Sequence, residues 1–359
     1  MPDDILTPTR KSSSHAKAPT AAELREFDAS TVVHPFSTGM LPADERAEAE
    51  EAAAAASALV LKALLHRTEP ETYPLPRDAD SPEAAAVAAL AKIDDRTFAR
   101  IAPRVRALAG DQARLARVLA PLGRKVDFTR PSLELERIRP AARLKKLVRV
   151  SVGAVEEEPT ASRPVVVSRP AKYKRMDFVL RAVHCRRETS GGGSDEIVLG
   201  AVLVGASGNT KVVPAQVIGD FDDGTYVSTG NLPLGQFSLR TTDGYPKTMY
   251  CILQLVESDS DDAEVAQALT EALSAIATIA VSAVATPAAG AIAGALVNTI
   301  GAFIGIFISE DAFVPYGVMM RLDSEDEYGA DGVSGKLHTD DIRGHGGAYR
   351  IGYRLVMNA

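Results

Sequence analysis

Residues 272–309 read ALSAIATIAVSAVATPAAGAIAGALVNTIGAFIGIFIS and contain no charged side chain. A helix needs about 20 apolar residues to cross a hydrocarbon core roughly 30 Å thick, so this run has room for two passes if the chain turns in its middle. Thr286-Pro287, followed by Ala288, Ala289 and Gly290, supplies that turn, because proline cannot continue a helix. Beyond it Gly290, Gly294, Asn298, Gly301 and Gly305 recur every three or four residues. That spacing puts them on one helical face and lets a second helix come close. The pattern predicts a packed, Ala/Gly-rich hydrophobic helical hairpin over 264–309.

The two arms differ. The first, 272–286, is short and diluted with Ala, Ser and Thr, and would insert poorly into a bilayer by itself. The second, 288–309, is longer and ends in Phe303-Ile304-Gly305-Ile306-Phe307-Ile308, so it can reach across a bilayer with its glycine face turned to a partner. A hairpin that inserts conditionally fits this composition better than a permanent anchor. The residues expected to enter the membrane are Ile276, Ile279, Val284, Pro287, Gly290, Gly294, Gly301, Phe303, Ile304, Gly305 and Phe307. The alternative is a helical pair buried in a soluble core or serving as an oligomerisation element, since apolar Ala/Gly helices also pack inside proteins. In composition and turn placement, 272–309 resembles the hydrophobic hairpin of the pore-forming colicins, channel-forming bacteriocins that are soluble until they reach a target. The resemblance implies conditional insertion and assigns no individual residue a role.

Working outward, the pattern on both sides of the hairpin is β. Runs at 178–185, 197–204, 211–218, 236–240 and 248–256 are short, rich in β-branched residues and bounded by Gly, Asp, Asn or Pro, which is the signature of a sandwich or barrel. The pattern resumes at 314–322 and closes with Tyr349, Ile351, Tyr353, Leu355 and Met357 in strict alternation. Upstream the signals are helical. Acidic residues open a helix after Pro42, and Lys62, His66 and Arg67 close it, as the helix dipole favours. Further helices are expected at 83–93 and from Asp95, with Gly110 stopping one and Asp111 capping the next, and a short basic segment follows at 140–150. The resulting expectation is an α+β multidomain chain. It has a flexible or loosely docked tail (1–42), a small N-terminal helical bundle (43–150), a linker (151–175), and an antiparallel β-sandwich (176–359) interrupted by the hairpin.

Charge divides the chain. Up to Arg175 there are 29 Lys plus Arg against 24 Asp plus Glu, and after it 11 against 23. Residues 96–149 are the most basic part, with fifteen cations and four acids, so they attract an anionic partner. Arg100, Arg104, Arg106, Arg114, Arg117, Lys145 and Lys146 are the candidates for binding anionic lipid or for docking on the acidic half of the chain. Only Phe98 and Phe128 provide aromatic surface there and no recognition module is spelled out, which argues against nucleic acid. Acidic loops supply Asp220, Asp222, Asp223, Asp259 and Asp261, a candidate set of oxygen ligands for calcium should the loops converge. No other cofactor is implied. Gly344-His345-Gly346-Gly347 predicts a tight turn before the last strand.

Catalytic fingerprints are missing. Gly332-Val333-Ser334-Gly335-Lys336-Leu337 lacks both the first glycine spacing and the Ser or Thr of a phosphate-binding loop. No metalloprotease, nucleophile-elbow or dinucleotide motif occurs, so a non-enzymatic protein is expected. No secretory signal is recognisable at the start, which predicts synthesis in the cytoplasm and, for action on a target cell, delivery by lysis or a dedicated apparatus. Cys185 and Cys251 are the two cysteines, read as buried thiols.

Overall fold

A computed structural model describes residues 20–135, 150–152, 172–190, 193–240, 244–259, 261–284, 288–308 and 311–359. In chain order the elements are α1 (Ala21–Asp28), β1 (Thr31–Val33), α2 (Ala43–Thr68), α3 (Pro82–Leu90), α4 (Asp95–Gly110), α5 (Gln112–Leu119), β2 (Val150–Val152), β3 (Arg175–Arg187), β4 (Asp195–Val204), β5 (Thr210–Phe221), β6 (Tyr226–Ser238) and β7 (Lys247–Glu257). They continue with α6 (Asp262–Ala283), α7 (Ala289–Phe307), β8 (Asp311–Ala312), β9 (Tyr316–Leu322), β10 (Leu337–Thr339), β11 (Ile342–Gly344) and β12 (Gly347–Asn358). The chain is α+β, with an N-terminal helical region followed by a sandwich that the two apolar helices interrupt.

One sheet runs β1-β10-β12-β3-β6 with β11 on β12, and the other runs β2-β5-β4-β7-β8 with β9 also on β7. Pairing is antiparallel except for β1 on β10 and β2 on β5. Alternation along each strand decides what each face meets. Ile197, Leu199, Ala201 and Leu203 of β4, with Met249, Cys251, Leu253 and Leu255 of β7, face the first sheet. There they meet Met176, Phe178 and Leu180 of β3 and the predicted alternating set of β12. The Phe178 and Tyr353 rings stack with centroids 4.4 Å apart. Both cysteines are buried and free.

The opposite face of the second sheet is apolar as well. Val198, Val202, Tyr250, Ile252 and Val256 join one core with α2 to α7. The molecule therefore has three layers: sheet, sheet, helices. Strands buried on both faces read as continuous apolar runs rather than alternating ones, and IVLGAVLV and MYCILQLV do so. Gly200 in β4 lets α6 come close, since a Cβ there would lie 2.8 Å from Leu273 Cδ1.

Within the helical layer, α2 packs on α7, α6, α3, α4 and α5. Every residue from Ala52 to Leu65 of it is buried. A helix with neighbours on all sides has no polar face, which explains its Ala/Leu composition. Asp94, Asp111 and Asp261 cap α4, α5 and α6 by accepting backbone N–H groups at 2.9–3.3 Å. Asp111 was legible as such a cap in the sequence. Residues 20–42, expected to be flexible or loosely docked, instead carry β1 and bury Phe27, Phe36 and Leu41. Those three apolar side chains are sufficient to fix a short segment. The basic segment 140–149 lies outside the described residues.

Candidate functional site: the apolar hairpin and its neck

The hairpin is formed by α6 and α7, 22 and 19 residues long, or about 33 and 28 Å at 1.5 Å per residue. By length and composition both could cross a membrane, and 67% and 72% of their most apolar windows are buried inside the protein. Of the residues expected to insert, Ile276, Ile279, Val284, Gly290, Gly294, Phe303, Ile304 and Phe307 are buried, whereas Gly301 and Gly305 are exposed. Pro287 lies outside the described residues. The first half of the glycine face, Gly290 and Gly294, does meet a helix, but the helix is α2. A Cβ on Gly294 would sit 2.8 Å from Ala49 Cβ and 2.9 Å from Thr38 Cγ2, and one on Gly290 would sit 2.6 Å from Leu41 Cδ2. The sequence announced a close approach but not its partner.

The base of the hairpin, where α6 begins and α7 ends, is crossed by α4 and α5. Arg100 pairs with Glu264 at 3.2 Å. Arg104 donates to the carbonyls of Gly305 at 3.3 Å and Ile308 at 2.8 Å, and Arg114 donates to that of Ala302 at 3.0 Å. The last carbonyls of a helix have no intrahelical partner and carry partial negative charge, so Arg104 closes the end of α7, while Arg114 holds the carbonyl of the turn before it. Arg106 pairs with Glu69 instead, at 3.0 Å. Arg117 is exposed on α5, and Lys145 and Lys146 lie outside the described residues.

The neck is the pair of short connections to the sandwich. Leaving the hairpin, β8 pairs with the last residues of β7, Ala312 opposite Val256 and Asp311 opposite Glu257. The Phe313 N–H donates to the Leu255 carbonyl at 3.1 Å, and the buried Gln254 amide donates to the Phe313 carbonyl at 2.8 Å. From the other sheet the β11–β12 turn closes over the same residues. His345, at φ +48°, places Nδ1 3.0 Å from the Asp311 carboxylate and Nε2 3.2 Å from the Ala312 carbonyl. Gly344 must lack a side chain because a Cβ would lie 2.9 Å from the Phe313 backbone. The tight glycine turn anticipated from sequence thus has its partner in the return strand of the hairpin.

Carboxylates crowd this neck. Glu257 is only 5% exposed. Burial, then the charges of Asp259, Asp195, Asp311 and Glu196, push its carboxyl up to about 8. Asp195 is buried and accepts from the Thr189 N–H and hydroxyl, each at 2.8 Å, and from the Tyr349 hydroxyl. The loops expected to bind calcium act on the backbone and on neighbouring side chains. Asp261 is the α6 cap, Asp222 accepts from Ser194 Oγ at 3.0 Å, Asp223 accepts from the Glu188 N–H at 2.7 Å, and Asp220 lies opposite Glu196 in the β4–β5 ladder. Asp259 lies close enough to Glu257 to raise its pKa. Among the described residues no three His, Cys, Asp or Glu side chains come together as a metal site.

Comparison with protein-family models, with curated proteins and with solved structures finds no match.

Proposed function

We propose that this chain is a membrane-active protein of the pore-forming or membrane-perturbing kind, kept soluble by burying its hairpin until it meets a target bilayer. The observation that carries the proposal is the pairing of two helices of membrane-spanning length, free of charge from Ala272 onward, with a fold that covers their apolar faces. Release uncovers apolar area at a cost of about 25 cal/mol per Å², and the hydrocarbon of a bilayer offers the same compensation. An anionic bilayer suits the arginine-rich α4–α5 surface. Once freed from α2, the face of Gly290 and Gly294 is suited to a second copy of the hairpin.

A second reading, a non-enzymatic interaction or structural protein with the hairpin as an ordinary core element, is favoured by one observation. Gly290 and Gly294 already fit against α2 and its approach, so the hairpin is complementary to its own chain. Asn298→Lys separates the two. Asn298 is exposed in the middle of α7, so the folded protein tolerates the charge, whereas a lysine at the bilayer centre opposes insertion by about 2.5–3.5 kcal/mol. The proposal expects dye release from anionic liposomes by the native protein and its loss in Asn298→Lys at unchanged thermal stability. It is overturned by absence of both binding and release at acid and neutral pH, or by full release from the variant.

A further inference from the structure

The neck holds a device that none of the contacts around the hairpin requires for packing alone. Strand β8 is two residues long, yet its pairing with β7 closes the hairpin onto the sandwich. At that position the register sets one carboxylate, Asp311, opposite another, Glu257. Like charges directly opposite in an antiparallel pair are destabilising, so the pairing needs at least one of them neutral or countered. Two features do this. Glu257 is buried at the end of β7, where a proton is the cheapest way to remove its charge. His345 reaches from the β11–β12 turn to Asp311, and both of its ring nitrogens face acceptors. A neutral imidazole has one N–H and donates to one of them, while the imidazolium donates to both.

We propose that β8 is a pH-operated clasp: with Glu257 protonated it holds residues 311–313 on β7, and with Glu257 ionised it lets the return strand of the hairpin open. The groups facing Glu257 are Asp195 and Glu196 of β4, Asp259 of the β7–α6 connection and Asp311 of β8. Those facing Glu196 are Asp220, Asp259 and Asp262. All are acids, so ionising Glu257 adds a like charge to every neighbour. On the other side His345 meets Asp311, and its own carbonyl accepts from Ser190 Oγ at 3.2 Å, while Arg187 donates to the Gly346 carbonyl. The buried carboxyl, raised from 4.5 to about 8, fixes the window. Closing is fully favoured below about pH 4.5, weakens progressively as the pH rises, and stops changing above about pH 8, where the closed form is ionised as well.

The clasp does not depend on the membrane proposal, because its readout is local opening in solution. Hydrogen exchange at the Phe313 amide, corrected for intrinsic rates, tests it in the full-length protein. Protection is expected to fall by up to about tenfold per pH unit between about pH 5 and 8, while the Leu199 amide in the sandwich interior stays level. Glu257→Gln, which removes the ionisation and keeps the shape, is expected to flatten that slope. Protection at Phe313 that is flat across this range in the native protein overturns the clasp, as does a slope that Glu257→Gln leaves unchanged.

Discussion

Lys62 lies in the middle of α2 with no solvent exposure. Its ammonium donates to the carbonyls of Phe128 at 2.6 Å and Arg130 at 2.7 Å. Burial pulls its pKa below the ordinary lysine value, against the opposing pull of Glu83 and Asp127. The contacts tie the segment after α5 to the central helix. Glu83 of α3, also buried, accepts the Leu133 N–H at 2.7 Å from the same segment. Replacing Lys62 with Met keeps the volume but removes the ammonium's two hydrogen bonds to these part-buried carbonyls, at an expected cost of about 1–3 kcal/mol, measured as a lower urea midpoint at unchanged slope. In the sequence Lys62 stands among Leu59, Val60, Leu61, Leu64 and Leu65. Read locally, it counts with His66 and Arg67 as a base near the helix end, whereas the structure buries it. Its carbonyl partners, 66 and 68 residues away, were not legible in the sequence.

Along α7 the glycines separate into two kinds. Gly294 faces the rigid Cβ of Ala49, so Gly294→Ala is expected to overpack the α2 contact and destabilise by about 1–3 kcal/mol. A Cβ on Gly305 would meet no atom within 4 Å, so Gly305→Ala relieves backbone entropy and is expected to stabilise by about 0.5–1 kcal/mol. Thermal unfolding of the two variants should therefore move in opposite directions, although they share one periodic motif. This also marks Gly294→Asp as unsuitable for testing insertion, since it would disturb the fold first. The same limit applies to the basic helices. Arginine every four residues in α4 was visible as charge, but the assignment of Arg104 and Arg114 to the carbonyls of α7 depends on where α4 docks.

The helical region and the outer face of the second sheet belong to one core. Residues 172–359 produced without the helical N-terminal region are accordingly expected to expose Tyr250, whose ring packs on Phe36, together with the α2-facing side of the hairpin. The measurement is binding of an apolar dye and self-association, and a monomeric, dye-free fragment would show the sandwich to be independent of the helices. Under the proposed release of the hairpin, the clasp would make acid a fastener of β8, since its buried carboxyl favours closure at low pH, and the trigger would act elsewhere, as bilayer contact at α4–α5 or cleavage of the chain would. What residues near one another in the chain decide was readable directly: the uncharged 272–309 run, its turn, the glycine period, the β12 alternation and the Asp111 cap each express local spacing. Contacts between distant segments were decided by the tertiary structure. It puts α2 against the glycine face, closes β8 with His345 and sets Glu257 opposite Asp311, because complementarity of shape and charge between surfaces far apart in sequence leaves no periodic trace in either one.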